Sequence, residues 1–173
     1  MTVPWSESDR RWRRLLRPAW PAFLRRTRPL SDFWGFDRGT PVDRHYIEGF
    51  HAEHRGDIRG RVLEVQDSVY TDLLGSGVEA RDVLDIDPAN PRATIVADLA
   101  KTEALPEAVF DCFILTQTLH LIYDLRAAVR GCHHLLRPGG TLFHERGDPS
   151  VPEGLRPDET RRYGATHLHI YRR

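Results

Sequence analysis

The sequence is poor in cysteine, the residue that builds disulfide frameworks and zinc knuckles. Its 173 residues include two cysteines, Cys112 and Cys132, which form no C-x-x-C pair and lie inside apolar segments. Neither a disulfide framework nor a zinc knuckle is therefore indicated. Free cysteine is among the most often buried residue types, so we expect both thiols to lie in the core.

Lysine and long apolar runs are also scarce. Lys101 is the single lysine, and nothing around it suggests a Schiff-base site, which argues against an aminotransferase. No apolar run approaches the ~20 residues of a membrane span, and the start of the chain lacks the apolar segment of about 7 to 15 residues found in signal peptides. We expect a cytoplasmic protein without stable membrane insertion.

An overall excess of positive charge is missing, because the formal net charge is zero. Proteins that bind nucleic acids generally carry a basic excess, so we expect no nucleic-acid partner. The charge is nevertheless unevenly distributed. Residues 1–30 contain eight arginines against Glu7 and Asp9, a net of 8 − 2 = +6, which leaves −6 for the remainder.

Tryptophans and leucines alternate with these arginines at near-helical spacing, and Pro18 and Pro21 divide the segment into short pieces. We therefore expect a basic arm over residues 1–40, followed by a domain over residues 41–173. Two interpretations of the arm remain open. It is either a solvated helical arm whose tryptophans pack on the domain, or a handle for an anionic partner or membrane surface.

The domain has the pattern of an α/β fold. A helix is expected after Thr40 and Pro41, and five short apolar runs follow from Arg61 onward without strict alternation. Such runs are typical of parallel strands buried on both faces. The clearest helix between them has an apolar stripe from Leu125 to Leu136 and ends before Pro138. The sequence thus predicts a doubly wound, mostly parallel sheet.

Acidic residues stand at the ends of three predicted strands, the edge at which ligands bind in such sheets. Glu64 lies in the first strand, Asp85 and Asp87 close the second, and Asp98 closes the third. Glu64 and Asp87 are 23 residues apart, near the ~20 at which dinucleotide folds place a ribose-binding acid. The alternative for each acid alone is a strand-end cap or a turn former.

Several segments, taken in order, carry a family resemblance. GRVLEV, DVLDIDP, TIVADL, FDCFILTQTLHLIYD and LLRPGGTLF resemble the successive motifs of class I S-adenosylmethionine-dependent methyltransferases. The preceding WGFDRGTPVDRHYIE resembles a bacterial subgroup of that family, so the resemblance covers Phe33 to Phe143. It implies a Rossmann-like methyltransferase fold, S-adenosylmethionine as cofactor, and a small-molecule or glycan-like acceptor.

The resemblance also implies roles for single residues. Glu64 would lie beside the methionine amino group and Asp87 would hold the ribose, while Asp98 and Leu99 would sit at the adenine. The segment from Thr116 to His120 would line the methyl-transfer cleft, with His120 as candidate base because histidine is the side chain that most often transfers protons in catalysis. The full set of cofactor-binding candidates is Glu64, Gln66, Asp85, Asp87, Asp98, Leu99 and Thr116.

The sequence departs from the family pattern in two places. Gln66, Asp67 and Ser68 follow the first strand where the family has a glycine-rich turn, so side chains occupy the space of the cofactor's methionine part. In addition, only 27 residues follow Arg146. ATHLHIYRR predicts one strand and RPDETRRYG a helical turn or two, so we expect a sheet truncated after the fifth strand. Its open edge could be covered by a protein partner or a second copy.

Two further functions follow from these departures and from the histidines. A catalytically inactive methyltransferase-like protein that binds a partner is the main alternative to the enzyme. A metal site is the weaker alternative: strand alternation puts His167 and His169 on one face, with His144 and Glu145 on a nearby strand, but this scattered spacing is weak evidence. A dehydrogenase is disfavoured because no G-x-G-x-x-G follows the first strand.

Overall fold

The computed structural model describes residues 6–16, 31, 35–146, 157–163 and 166–173. The chain forms two compact units, Met1–Tyr46 and Ile47–Arg173. The first contains helix α1 (Glu7–Leu16), and helix α2 (Val42–Glu53) crosses the boundary. The predicted breaks of the arm at Pro18 and Pro21 lie outside the described residues.

Helix α1 begins with a capping box. The Ser6 hydroxyl accepts a hydrogen bond from the Asp9 N–H at 3.2 Å, and the Asp9 carboxylate accepts one from the Ser6 N–H at 3.1 Å. Two N–H groups that a helix start leaves without an intrahelical partner are thereby satisfied. A hydrogen bond from the Ser6 hydroxyl at 2.6 Å, together with the one from the Ser6 N–H, holds the pKa of the Asp9 carboxyl below its usual value. The sequence itself therefore fixes where the helix starts.

The second unit is built on a seven-stranded sheet in the order β3-β2-β1-β4-β5-β7-β6. All paired strands run parallel except β7, which is antiparallel to both of its neighbours. This arrangement confirms the predicted doubly wound, mostly parallel sheet. The strands are β1 (Gly60–Val65), β2 (Val78–Asp85), β3 (Ile95–Val96), β4 (Phe110–Leu115), β5 (Leu136–Arg146), β6 (Glu159–Tyr163) and β7 (Thr166–Arg172).

The expectation of a sheet truncated after the fifth strand is wrong. The predicted strand near the end of the chain exists as β7, but the segment expected to be a helical turn is β6, which pairs with it. Glu159, Arg161 and Arg162 suggested a helix in the sequence, yet charged side chains are what an edge strand needs to stay solvated. Because β7 covers β5, the edge predicted to recruit a partner is already paired.

Helices cover both faces of the sheet and create two hydrophobic clusters. Helices α2 and α3 (Val69–Leu74) lie on one face, while α4 (Leu125–Leu135) lies on the other. The Asp124 carboxylate caps α4 by accepting a hydrogen bond from the Ala127 N–H at 2.9 Å, and the predicted apolar stripe of this helix is buried except at Leu125 and Val129, which are half-buried. Cys112 and Cys132 are both free and buried, as predicted, one in each cluster.

Candidate functional site

The chain reverses its direction of strand addition between β1 and β4. From β1 it adds β2 and β3 on one side, and it then crosses over to add β4 and β5 on the other. Ligands of open α/β sheets bind at such a switch point, outside the carboxyl ends of the strands. Gln66 follows β1, Asp85 ends β2 and Thr116 follows β4. The fold therefore brings these three sequence candidates to one edge.

Glu64 is buried in β1 and tied to the start of α3. Its carboxylate accepts hydrogen bonds from the N–H groups of Tyr70 and Thr71, each at 3.0 Å, and from the Thr71 hydroxyl at 2.8 Å. Burial raises the pKa of Glu64 to about 7, while the three hydrogen bonds lower it. Both oxygens therefore orient the turn between β1 and α3, and the contact with a methionine amino group stays a prediction.

Gln66 has the backbone conformation of a glycine. Its φ angle is 72°, in the left-handed region that side chains disfavour, and its side chain is exposed. The Gln66 N–H donates to the Leu84 carbonyl at 3.0 Å, and its carbonyl accepts from the Asn90 amide at 2.8 Å. The turn after β1 thus keeps a glycine-like path although its glycine is missing.

The two acids after β2 have different surroundings. Asp85 is half-buried and accepts hydrogen bonds from the Asp87 N–H at 3.0 Å and from the Asn90 amide at 2.6 Å. Asp87 is exposed, and one of its oxygens accepts from the Ala89 N–H at 2.9 Å. Asp85 orders the turn, whereas Asp87 presents its carboxylate to solvent at the ligand edge.

Asn90 is a residue of this site that sequence reasoning missed. Its amide donates to Asp85 and to the Gln66 carbonyl, so it links the turn after β2 to the turn after β1. The signal was present in the segment DPANP, since asparagine between prolines commonly forms side-chain hydrogen bonds within turns.

Asp98 and Leu99 follow β3 and differ in exposure. Asp98 is half-buried, its carboxylate accepts from the Ala100 N–H at 2.9 Å, and Lys101 Nζ lies 3.9 Å away. Leu99 is 5% exposed and packs in the cluster beneath α4. Its side chain belongs to the core, and the place of Leu99 at the adenine stays a prediction.

The segment after β4 carries the remaining candidates. The Thr116 carbonyl accepts a hydrogen bond from the Thr118 hydroxyl at 2.8 Å, and a 3-10 turn follows at Leu119–Leu121. Leu119 is buried and anchors this turn, which leaves His120 exposed. The exposed neighbours Leu121 and Tyr123 give the same rim an apolar character.

The histidines of β5 and β7 stack instead of converging. The His169 ring lies 6.3 Å from that of His144 and 6.1 Å from that of His167, and all three are buried. Within the described ranges, no group of three or more His, Cys, Asp or Glu residues is arranged to hold a metal ion. This arrangement gives the metal hypothesis no support.

Comparison with known families identifies the central part of the chain. Residues 71–144 match the family model described as a methyltransferase domain. This match spans 74 of the 173 residues, so it shows a methyltransferase domain in the central part of the chain. The matched region includes Asp85, Asp87, Asp98 and His120 but begins after Gln66.

Solved methyltransferases share this fold at low sequence identity. The N-methyltransferase NodS from Bradyrhizobium japonicum WM9, in complex with S-adenosyl-L-homocysteine, has a TM-score of 0.58 and 19% identity over 82% of this chain and 89% of its own. The putative methyltransferase yhhF from Escherichia coli has a TM-score of 0.54 and 15% identity over 84% and 90%. A search of curated proteins gave no match.

Proposed function

We propose that this methyltransferase binds S-adenosylmethionine at the carboxyl ends of β1, β2 and β4 and methylates a small-molecule acceptor. The observation that carries the proposal is the switch point. There the glycine-like backbone of Gln66, the exposed carboxylate of Asp87 and the segment from Thr116 share one edge. The structural similarity to NodS bound to S-adenosyl-L-homocysteine supports the same cofactor position.

The chain's residues would chiefly bind and orient the two reactants. The cofactor's sulfonium is already a strong electrophile, so alignment and exclusion of water supply most of the catalysis. In this proposal the Asp87 carboxylate accepts the ribose hydroxyls, and Asp98 and the backbone of Leu99 border the adenine. Glu64 acts by fixing the start of α3, beside the methionine part.

The acceptor would enter over the rim that follows β4. His120 is exposed there and would take the proton of a hydroxyl or amine acceptor, since histidine is the side chain that most often acts as a general base. The family resemblance supports a small-molecule or glycan-like acceptor, and NodS is an N-methyltransferase. Leu121 and Tyr123 would contact apolar parts of the acceptor.

Asp87→Asn is expected to weaken cofactor binding by about tenfold or more, because it removes the charge from the ribose-binding group. Calorimetric titration with S-adenosylmethionine and S-adenosylhomocysteine measures this loss. Glu79→Gln is the matched control, since Glu79 is exposed at the opposite end of β2. Equal affinity of the two variants would contradict the role given to Asp87.

Gln66→Gly is expected to increase cofactor affinity several-fold. Glycine adopts a φ of 72° without strain, and its loss of a side chain frees the space beside the methionine part. Ala108→Gly is the control, because Ala108 has a φ of 51° but precedes β4 at the other edge of the sheet. If both variants raise affinity equally, backbone strain rather than access to the site limits binding.

One observation favours a second candidate, a methyltransferase-like protein without catalysis. The turn after β1 keeps a side chain at Gln66, and both oxygens of Glu64 are engaged with α3. This candidate predicts no cofactor binding by the folded protein, and none by the Gln66→Gly variant. Binding restored in that variant alone would indicate a site whose ancestral geometry persists.

A further inference from the structure

Helix α1 presents an apolar stripe to solvent. Trp12, Leu15 and Leu16 stand at positions i, i+3 and i+4, so they share one face. Their exposed fractions are 63%, 63% and 77%. Amphipathic helices of globular domains turn such a face toward the core, whereas here Arg10 and Arg13 are the half-buried residues. The apolar stripe is thus exposed in the part of the chain that the structure describes.

Arginines border this stripe on both sides. Arg11 neighbours Leu15 at a spacing of four, and Arg13 neighbours Leu16 at a spacing of three. The helix contains four arginines against Glu7 and Asp9, a net of 4 − 2 = +2. Both acids lie in the first turn, so the apolar stripe and the positive charge coincide in the later turns.

We propose that α1 docks on an anionic lipid surface and lies in the plane of the interface. The apolar stripe would enter the boundary between headgroups and acyl chains, while the long arginine side chains reach the lipid phosphates. A planar anionic surface can bury the apolar stripe and attract the arginines on both sides of it at the same time. A nucleic acid would pair with the arginines but leave Trp12 and the two leucines in water.

The proposal places α1 on the surface of the bilayer and not across it. In the described part of the chain, no helix is long and apolar enough to span a membrane. The proposal depends on α1 alone, so it stands or falls independently of the methyl-transfer proposal.

Vesicle flotation of the full chain tests the proposal. With vesicles of phosphatidylcholine and phosphatidylglycerol, we expect the floating fraction to exceed that with phosphatidylcholine alone by about tenfold or more, and to fall as salt rises. Leu15→Ser/Leu16→Ser should reduce flotation to the neutral-vesicle level, and so should Arg11→Gln/Arg13→Gln, which removes the positive charge on both sides of the stripe. The two variants separate the apolar contribution from the electrostatic one.

Leu73→Ser/Val42→Ser is the matched control, since these apolar residues are 62% and 73% exposed outside α1. It should float as the unmodified protein does, and circular dichroism verifies that each variant is folded. No flotation with anionic vesicles would overturn the proposal. So would equal loss in the control variant, or binding to a nucleic acid duplex with vesicle binding absent.

Discussion

His51→Leu is expected to stabilise the protein, by an amount that grows by about 1.4 kcal/mol for each pH unit below 6.5. His51 is 1% exposed in α2, between the rings of Tyr70 and Phe143, each 5.0 Å away. Neither of its ring nitrogens has a hydrogen-bond partner among the described residues. Burial, and then repulsion from His54, lowers the pKa of His51 to about 3.

The sign of the effect follows from proton binding. Between pH 6.5 and 3 the unfolded chain carries a proton on this imidazole and the folded chain does not, so acid favours unfolding. A leucine binds no proton in either state, and it also removes two unpaired buried polar atoms. At pH 3.5 the variant should exceed the unmodified protein by about 4 kcal/mol.

Glu64 changes the stability with pH in the opposite direction, so it masks the contribution of His51 in the unmodified protein. Because burial raises its pKa to about 7, the folded chain holds a proton between pH 7 and 4.5 that the unfolded chain lacks. Its contribution to stability is therefore present below pH 4.5 and is lost as the pH rises through 7. The two slopes nearly cancel between pH 4.5 and 6.5, so the acid sensitivity due to His51 emerges below 4.5.

Urea denaturation at several pH values measures the difference between the variant and the unmodified protein, in which the Glu64 contribution cancels. His45→Leu is the control, because His45 lies on the same helix but is exposed. A stability difference that does not change with pH would show that His51 takes up a proton in the folded state.

Gly131→Ala is expected to destabilise the protein by about 3 kcal/mol. A Cβ atom on Gly131 in α4 would lie 2.0 Å from the Leu99 carbonyl oxygen and 3.2 Å from the Leu105 side chain. A carbonyl oxygen cannot rotate away as a side chain can, so either α4 or the loop after β3 must shift. Because Asp98 precedes that carbonyl, the shift should also disturb the candidate adenine position.

Gly49→Ala is the same type of substitution, but it is expected to raise the stability of the protein. Nothing lies within 4 Å of a Cβ at Gly49 in α2, so alanine adds only helix propensity and stability should rise by about 0.5 to 1 kcal/mol. Thermal and urea unfolding of the two variants measure both effects. A stable Gly131→Ala protein would mean that α4 moves away from Leu99 at little cost.

The sequence predicted the parts of the fold that repeat a simple pattern. Buried runs gave the parallel strands, and the acids at their ends predicted which edge Asp87 and Asp98 would share. The stop signal at Pro138 placed the end of α4 correctly to within a few residues. Each of these depends on local chemistry that a short window of sequence contains.

The sequence was least informative where long-range pairing decides the structure. Nothing in the segment of β6 marks it as a strand, because its stability comes from pairing with β7 and not from its own composition. The glycine-like φ of Gln66 was equally hidden, since it is imposed by the Leu84 and Asn90 hydrogen bonds. The assignment of Leu99 to the core required knowing that α4 lies over it.

Asn90 makes the turns after β1 and β2 a single mechanical unit. It holds Asp85 and the Gln66 carbonyl together, and Arg92 lies 3.9 Å from Asp67 across the same gap. The effects of substitutions in the two turns on stability should therefore be coupled and not additive. Replacing the whole first turn with a glycine-rich one would remove the Asp67 carboxylate that lies near Arg92, whereas Gln66→Gly alone keeps the backbone carbonyl to which Asn90 donates.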